Sequence, residues 1–250
     1  LRVVTFNLCN GGIDNGNDTR LRRQLDRLAG LDADVIALQE AKHWAEPNTR
    51  LFHGGQPFHL AKRTLGMDGF LVPSEHDGCH LALFVRTGRV QVLQEKHTVG
   101  APYWHAVGHL RALVDGRVTS FVNVHSAPST PRLREIEAES LALKVRKGEP
   151  VIMMGDWNAV PTTYAGTSGD RRKLDHQAAF ALSEVGLRDA AVAMGVTIPT
   201  VTTPLPYPCD RIYFKGLTPT SFQIGTGNWA SDHLPAIGDF DLTPPEPVAI

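Results

Sequence analysis

The run Val151-Ile152-Met153-Met154-Gly155-Asp156-Trp157-Asn158-Ala159 is an apolar segment that stops on a carboxylate and an amide. Four apolar residues in a row, closed by Gly, suit a short buried strand. A polar group at the end of such a strand stands on rigid backbone and points into a loop-lined space, where scaffolds place chemistry. The pattern recurs outward in both directions. Asn7 follows Val3-Val4-Thr5-Phe6, Glu40 follows the strand that ends Leu38-Gln39, and His125 follows Phe121-Val122-Asn123-Val124. Asp210 precedes Arg211-Ile212-Tyr213-Phe214, and Asp232-His233 stands just before the last apolar run.

Between these ends the periodicity alternates. Leu1–Leu8, Asp34–Leu38, Leu81–Arg86, Val90–Glu95, His105–Val114 and Val118–His125 read as strands, with turns at Gly88 and Gly116 that predict two hairpins. Leu21, Leu25 and Leu28 recur at helical spacing behind a cap at Asp18 or Thr19. Further helices are predicted from Pro131 to about Lys147 and over Asp175–Glu184, and further strands near Arg211–Phe214, Ser221–Ile224 and Ala236–Leu242. The stretch 41–73 mixes Gly, Pro, His and aromatic residues and reads as a long loop with one or two short strands. Hairpins interleaved with helices predict an α/β fold with two mixed sheets packed face to face. We expect one domain over residues 1–242 and a Pro-rich tail over 243–250.

The chain has 250 residues with 25 Lys+Arg against 26 Asp+Glu, proportions that argue against a disordered, collagen-like or coiled-coil protein. Near-neutral charge argues against retention on nucleic acid by bulk positive charge, though a local basic groove stays open. Cys9, Cys79 and Cys209 form no disulfide framework and no Cys-x-x-Cys pair. No apolar run is long enough to span a bilayer. A monomeric cytoplasmic protein is the expectation.

If the strand ends converge, Glu40, Asp156, Asp210 and Asp232 bring four acids into one pocket, which a cation would have to neutralise. Oxygen donors beside amides and imidazoles favour Mg²⁺ or Mn²⁺ over zinc. His125 and His233 could then give and take protons, and Asn7 and Asn158 could bind phosphate oxygens, a set suited to metal-assisted displacement at phosphorus. Taken singly, each has a plainer reading: Asp156 as a turn cap, Asn7 in an Asx-turn, either His in a core.

Thr5-Phe6-Asn7-Leu8, Leu38-Gln39-Glu40, Asn123-Val124-His125-Ser126-Ala127-Pro128, Gly155-Asp156-Trp157-Asn158-Ala159, Asp210-Arg211-Ile212 and Ser231-Asp232-His233-Leu234-Pro235 together resemble the endonuclease/exonuclease/phosphatase superfamily. The His-Ser-Ala-Pro segment resembles its deoxyribonuclease I-like members. The resemblance implies a four-layer sandwich of two packed mixed β-sheets flanked by helices, and a Mg²⁺- or Mn²⁺-dependent phosphoesterase. It implies that Glu40, Asn7 and Asp232 hold the metal, and that Asp156 and Asn158 position or activate water and contact phosphate. His233, oriented by Asp210, and His125 would divide proton transfer and transition-state stabilisation. One departure stands out. Deoxyribonuclease I-like enzymes place a Glu before the strand matching Leu81–Arg86 to orient the His at position 125, and here the stretch is Asp77-Gly78-Cys79-His80. Asp77 or Glu75 would have to take that part, or His125 is oriented otherwise.

Lys42, Arg171 and Arg172 are candidates for substrate phosphates, with plain solvated charge as the alternative for each. Trp229, three residues before Asp232, is the first candidate for stacking on a base, ahead of Trp44, Tyr103 and Trp104, with core packing the favoured reading for any single one of them. His76, Cys79 and His80 lack a fourth ligand for zinc. The substrate expected first is DNA, cut by an endonuclease. The alternatives are a small-molecule or lipid phosphoester, and a non-catalytic member that only binds nucleic acid.

Overall fold

The computed structural model describes residues 1–45, 57–166, 172–202 and 206–243. In chain order the elements are β1 (Arg2–Asn7), α1 (Thr19–Ala29), β2 (Val35–Gln39), α2 (Pro57–Leu65), β3 (Met67–Val72), β4 (Leu81–Arg86) and β5 (Val90–Glu95). They continue with β6 (Thr98–Val99), β7 (Ala106–Val114), β8 (Arg117–His125), α3 (Pro131–Ala142), β9 (Val151–Asp156) and α4 (Gln177–Glu184). The last are β10 (Arg188–Asp189), α5 (Ala190–Ala193), β11 (Asp210–Lys215), β12 (Thr218–Ile224) and β13 (Ala236–Asp241).

Two sheets result, in the orders β12-β13-β1-β2-β4-β3 and β10-β11-β9-β8-β7-β5, with β6 against β7. Each sheet has one parallel pair near its middle, β1 with β2 and β8 with β9, and every other pairing is antiparallel. The alternation of each strand explains the layers. Val3, Val35 and Leu83 turn to Leu110, Phe121 and Ile152 between the sheets. Val4, Phe6, Ile36 and Phe84 turn outward to Leu21, Leu25 and Leu28 of α1 and Ala61 of α2. On the far side Val122, Val124 and Met153 meet Leu141 of α3 and Leu182 of α4. The result is the expected four-layer sandwich, helices outside and two mixed sheets within.

One polar bridge crosses the apolar middle. Asn123 Nδ2 donates to the carbonyls of Leu38 (3.0 Å) and Ala82 (2.9 Å), and its Oδ1 accepts from Gln39 Nε2 at 2.7 Å. Gln39 in turn donates to the Thr5 hydroxyl at 3.0 Å. All three side chains are fully buried, so this network fixes how the ends of the parallel pairs face each other.

Three expectations need correction. Gly88 makes no hairpin, because β4 and β5 belong to different sheets; its φ of 81° turns the chain from one sheet to the other. Gly116 does close a hairpin, a two-residue turn with Val114 opposite Arg117. The stretch 41–73 does hold a short strand, β3, but it also holds the helix α2 where only loop and strand are expected, with 46–56 outside the described residues. The helix expected to reach Lys147 ends at Ala142, just after its last inward residue, Leu141, and Leu143 is 89% exposed. Of the tail, residues 244–250 lie outside the described residues. Among the described residues no helix is long and apolar enough to cross a membrane.

Candidate active site

The two parallel pairs end at the same place. Asn7 closes β1, Glu40 follows β2, and His125 and Asp156 close β8 and β9. Across the second sheet Asp210, Asp156 and His125 stand in one row, Asp210 opposite Asp156 and Asp156 opposite His125. Gly155 permits this approach: a Cβ there would lie 1.9 Å from the Val124 carbonyl oxygen. His233 arrives from the other sheet, just ahead of β13. Glu40, His125, Asp156 and His233 line a cleft of about 640 Å³, and the fully buried Asn7 and Asp210 stand behind that lining.

Glu40 sits at φ 52°, a left-handed conformation that costs a non-glycine residue roughly 1–2 kcal/mol. Its backbone is held there by hydrogen bonds from Gly11 N and Lys42 N to its carbonyl, both 2.7 Å. Gly11 is required, since a Cβ would come within 2.2 Å of the Lys42 carbonyl oxygen. The Glu40 carboxylate accepts from Asn10 N at 2.8 Å and from Asn7 Nδ2 at 3.2 Å. Asn7 Nδ2 also donates to Asp156 Oδ2 at 3.1 Å, while its Oδ1 accepts from Cys9 N at 3.0 Å. Asn7 thus touches both acids through its amide nitrogen, with its amide oxygen turned to Cys9 N.

Asp156 Oδ1 accepts from Asn158 N at 2.9 Å, and Asn158 Nδ2 donates to the Ser126 carbonyl at 2.9 Å. Lys173 Nζ donates to Asn158 Oδ1. Asp156 Oδ2 lies 3.6 Å from His125 Nε2 and 3.8 Å from His233 Nε2, so the two imidazoles flank one carboxylate oxygen. Burial opposes the charge on Asp156, but His233, His125 and Lys173 outweigh it and hold the carboxyl below the usual range. Behind the cleft Asp210, fully buried, meets His233 Nδ1 at 2.8 Å. Burial works against a charged His233, yet Asp210 overcomes it and holds the ring well above the ordinary imidazole value. His125 goes the other way, pushed down to about 4 by burial despite Asp156.

The orientation of His125 departs from the acid-supported arrangement. Its Nδ1 has no hydrogen-bond partner among the described residues, so neither Asp77 nor Glu75 supplies one. Its ring lies instead against His105, centroids 4.1 Å apart and planes 16° apart. His105 is pushed down to about 3 by burial and then by His125.

Asp156, Cys209, Asp210 and His233 offer ligand atoms within 4.8 Å of one another, a possible metal-binding group. The 2.8 Å contact between His233 and Asp210 is a hydrogen bond, shorter than the roughly 3.3 Å that separates ligands around one tetrahedral zinc at 2.0–2.1 Å. The cleft itself offers a different set. Cys9, whose thiol pKa is raised by burial and next by Asp232 and Glu40, lines the cleft together with both acids. Glu40, Asp156 and Asp232 all line the cleft. Oxygen donors of this kind fit a hard divalent cation.

Of the remaining candidates, Lys42 lines the cleft. Trp229 does not: it is 3% exposed, packed edge-on to Phe6 at 5.6 Å and covered by the Arg27 guanidinium at 4.2 Å. Arg172 is exposed away from the cleft lining, and Arg171 lies outside the described residues. The cation of that run that reaches the cleft is Lys173, and the cleft's aromatic lining is Tyr207 and Trp104, the latter 37% exposed and stacked on His76 at 4.3 Å. The Arg171-Arg172-Lys173 run and the Trp104-His105 pair before β7 carried the signal for both. Nothing in the sequence singles out Cys209 or Thr200, whose hydroxyl accepts from Asp210 N at 3.0 Å.

No curated protein sequence matches the chain. Solved structures share its fold at low identity. A mannosyl-6-phosphatase from Bacteroides thetaiotaomicron VPI-5482 is 17% identical, with 96% of this chain and 99% of that one covered and a TM-score of 0.69. A humanised D. rerio TDP2 is 17% identical over 96% and 98% of the two chains, with a TM-score of 0.69. The human Nocturnin catalytic domain with bound sulfate is 19% identical over 96% and 94%, again at 0.69. A family model matches residues 4–233, and with the two-sheet sandwich already described it establishes that the chain belongs to the Endonuclease/Exonuclease/phosphatase family of phosphoesterases.

Proposed function

We propose that the protein is a divalent-cation-dependent hydrolase of phosphodiester bonds, with a DNA strand as its first substrate. The observation that carries the hydrolase reading is the pair of imidazoles on one ionised carboxylate, with opposite proton affinities. His233 keeps a proton between Asp210 and the cleft, ready to protonate or stabilise a charged oxygen. His125 is neutral above about pH 4 and can accept a proton. Asp156 stays ionised and, with Asn158, holds the attacking water. Pairs of groups pushed apart in this way divide the acid and base work. Glu40 and Asp232 would hold Mg²⁺ or Mn²⁺, which when bound neutralises the acids and polarises the phosphoryl group. Asn7 keeps Glu40 and Asp156 aligned. The His-Ser-Ala-Pro segment favours DNA among phosphodiesters.

A second substrate reading rests on the cleft itself. Among the described residues its lining holds Lys42 and Lys173 and no arginine, and its volume of about 640 Å³ suits a small ligand. Supercoiled plasmid and a panel of phosphorylated sugars, inositols and nucleotides, each with Mg²⁺ or Mn²⁺ and with chelator, separate the two. Metal-dependent nicking supports the DNA reading. Turnover of the panel without nicking moves the assignment to a small phosphoester, and turnover of neither sinks the hydrolase.

A further inference from the structure

Two charged side chains of α3 are withdrawn from solvent without touching the cleft: Arg134, 0% exposed, and Glu137, 1%. Spaced three residues apart, they share one face of the helix. The Glu137 carboxylate divides between two loops. Oε1 accepts from Trp104 N at 2.7 Å and Oε2 from Ala127 N at 3.0 Å. The first loop leads into β7 and carries Trp104 and His105; the second begins just after His125, the last residue of β8, and carries Ala127 and Pro128. Arg134 grips the same residue through its next peptide, with Nη1 donating to the Ala127 carbonyl at 2.8 Å. It also binds Asp175 and the Arg172 carbonyl, on the loop whose Lys173 reaches Asn158.

What these two loops bring together is the His105–His125 stack. Neither ring has a hydrogen-bond partner on Nδ1 among the described residues. Nε2 of His125 is 3.6 Å from Asp156, too far for a good hydrogen bond. The face of His105 is therefore what sets the plane of His125, and the spacing of the two loops sets that face. An apolar residue at 137 would leave the buried Ala127 N–H and the partly buried Trp104 N–H without their acceptors. A carboxylate there is costly to bury, and burial pushes its own pKa up.

We infer that Glu137 is a positioning residue: by holding Trp104 N and Ala127 N on one carboxylate it clamps His105 against His125 and aims that imidazole at Asp156. Arg134 holds the clamp from behind. The catalytic consequence rests on the hydrolase reading above; the geometry does not.

The test is a double-mutant cycle with a spectroscopic readout beside it. Glu137→Gln keeps one acceptor and sets an amide nitrogen against the other N–H. It should lower kcat about tenfold, with KM within about twofold. His105→Ala should do the same, and the double variant should be no worse than either single one, because both remove one support of His125. His105→Phe, which keeps a ring face, should retain kcat within about threefold. In the histidine NMR spectrum, the ring-current shift of the His125 protons should disappear in Glu137→Gln and His105→Ala and persist in His105→Phe. Additive losses, or a His125 signal unmoved by Glu137→Gln, overturn the inference. If Glu137→Gln does not fold, the two His105 variants decide it: equal loss from Ala and Phe overturns the stack. If the wild-type protein hydrolyses no phosphoester, the hydrolase reading fails, and the His125 signal decides the clamp by itself.

Discussion

His125 and His233 lie within 3.6 Å and 3.8 Å of the same Asp156 oxygen, yet they hold their protons differently. Burial acts on both. The difference is Asp210, which stands behind His233 alone. Replacing Asp210 with Asn removes the anion that stabilises the imidazolium, so the pKa of His233 must fall. Activity that needs a protonated His233 should then lose its alkaline limb at lower pH, by a unit or more, and turnover should drop about 10²-fold at neutral pH. A pH–rate profile of D210N with an unmoved alkaline limb would sink this assignment. Asp156→Ala, which removes the group both rings face, should cost about 10²–10⁴ in kcat while the fold persists by circular dichroism. The residues behind these predictions were legible in the sequence, because each follows or precedes an apolar run. Trp229 was not legible in the same way. Its nearness to Asp232 says nothing of which way the ring turns, and the apolar space beside Phe6 takes it inward.

At the scale of elements, the site exists because two parallel pairs end level with each other, and Asn123 is the link that keeps them so. Its amide spans from β8 to Leu38 in β2 and Ala82 in β4. Asn123→Ala removes a buried donor to the Leu38 and Ala82 carbonyls and the 2.7 Å partner of Gln39. About 2–4 kcal/mol of stability should be lost, from unmet buried polar groups and the space left behind. Denaturant unfolding measures it, and a loss below about 1 kcal/mol would mean that water or rearrangement replaces the bridge. Most strands could be read from alternation, but pairing could not. The turn at Gly88 has the local chemistry of a hairpin, while its two strands separate into different sheets because each finds better apolar partners there. α2 had its signals in Pro57 at the first position and Gly66 just past the end. Its inward face is narrow, with only Pro57 and Ala61 buried, so no clear stripe stands out.

Taken whole, the molecule carries 25 cationic and 26 acidic side chains, and its net charge of −1 gives no hint of a polarised interior. Burial creates one. His105, His109 and His125 are held down to about 3, 4 and 4 against an ordinary 6.5, in each case by burial first. In the unfolded chain all three regain their protons as pH falls through 6.5. Between 6.5 and about 4 the unfolded state therefore binds more protons than the native one, and stability must rise with pH across that window and fall on acidification. Each group contributes on the order of 1 kcal/mol for the first pH unit below 6.5. His233, raised above 6.5 by Asp210, works in the opposite sense and offsets about one of the three, so urea unfolding at pH 7.5 and 5.5 should show a net loss of about 2–3 kcal/mol, well before most carboxylates protonate. His109 supplies the control. It lies on β7 outside the cleft lining, with its Nε2 3.1 Å from the Ser120 hydroxyl and Lys144 and Arg146 further disfavouring its charge. His109→Gln cannot titrate, so its stability should fall less steeply between the two pH values while metal-dependent turnover stays near wild type. An unchanged slope in H109Q, or a wild-type stability flat from pH 7.5 to 5.5, would show that these imidazoles reach water more freely than their burial allows.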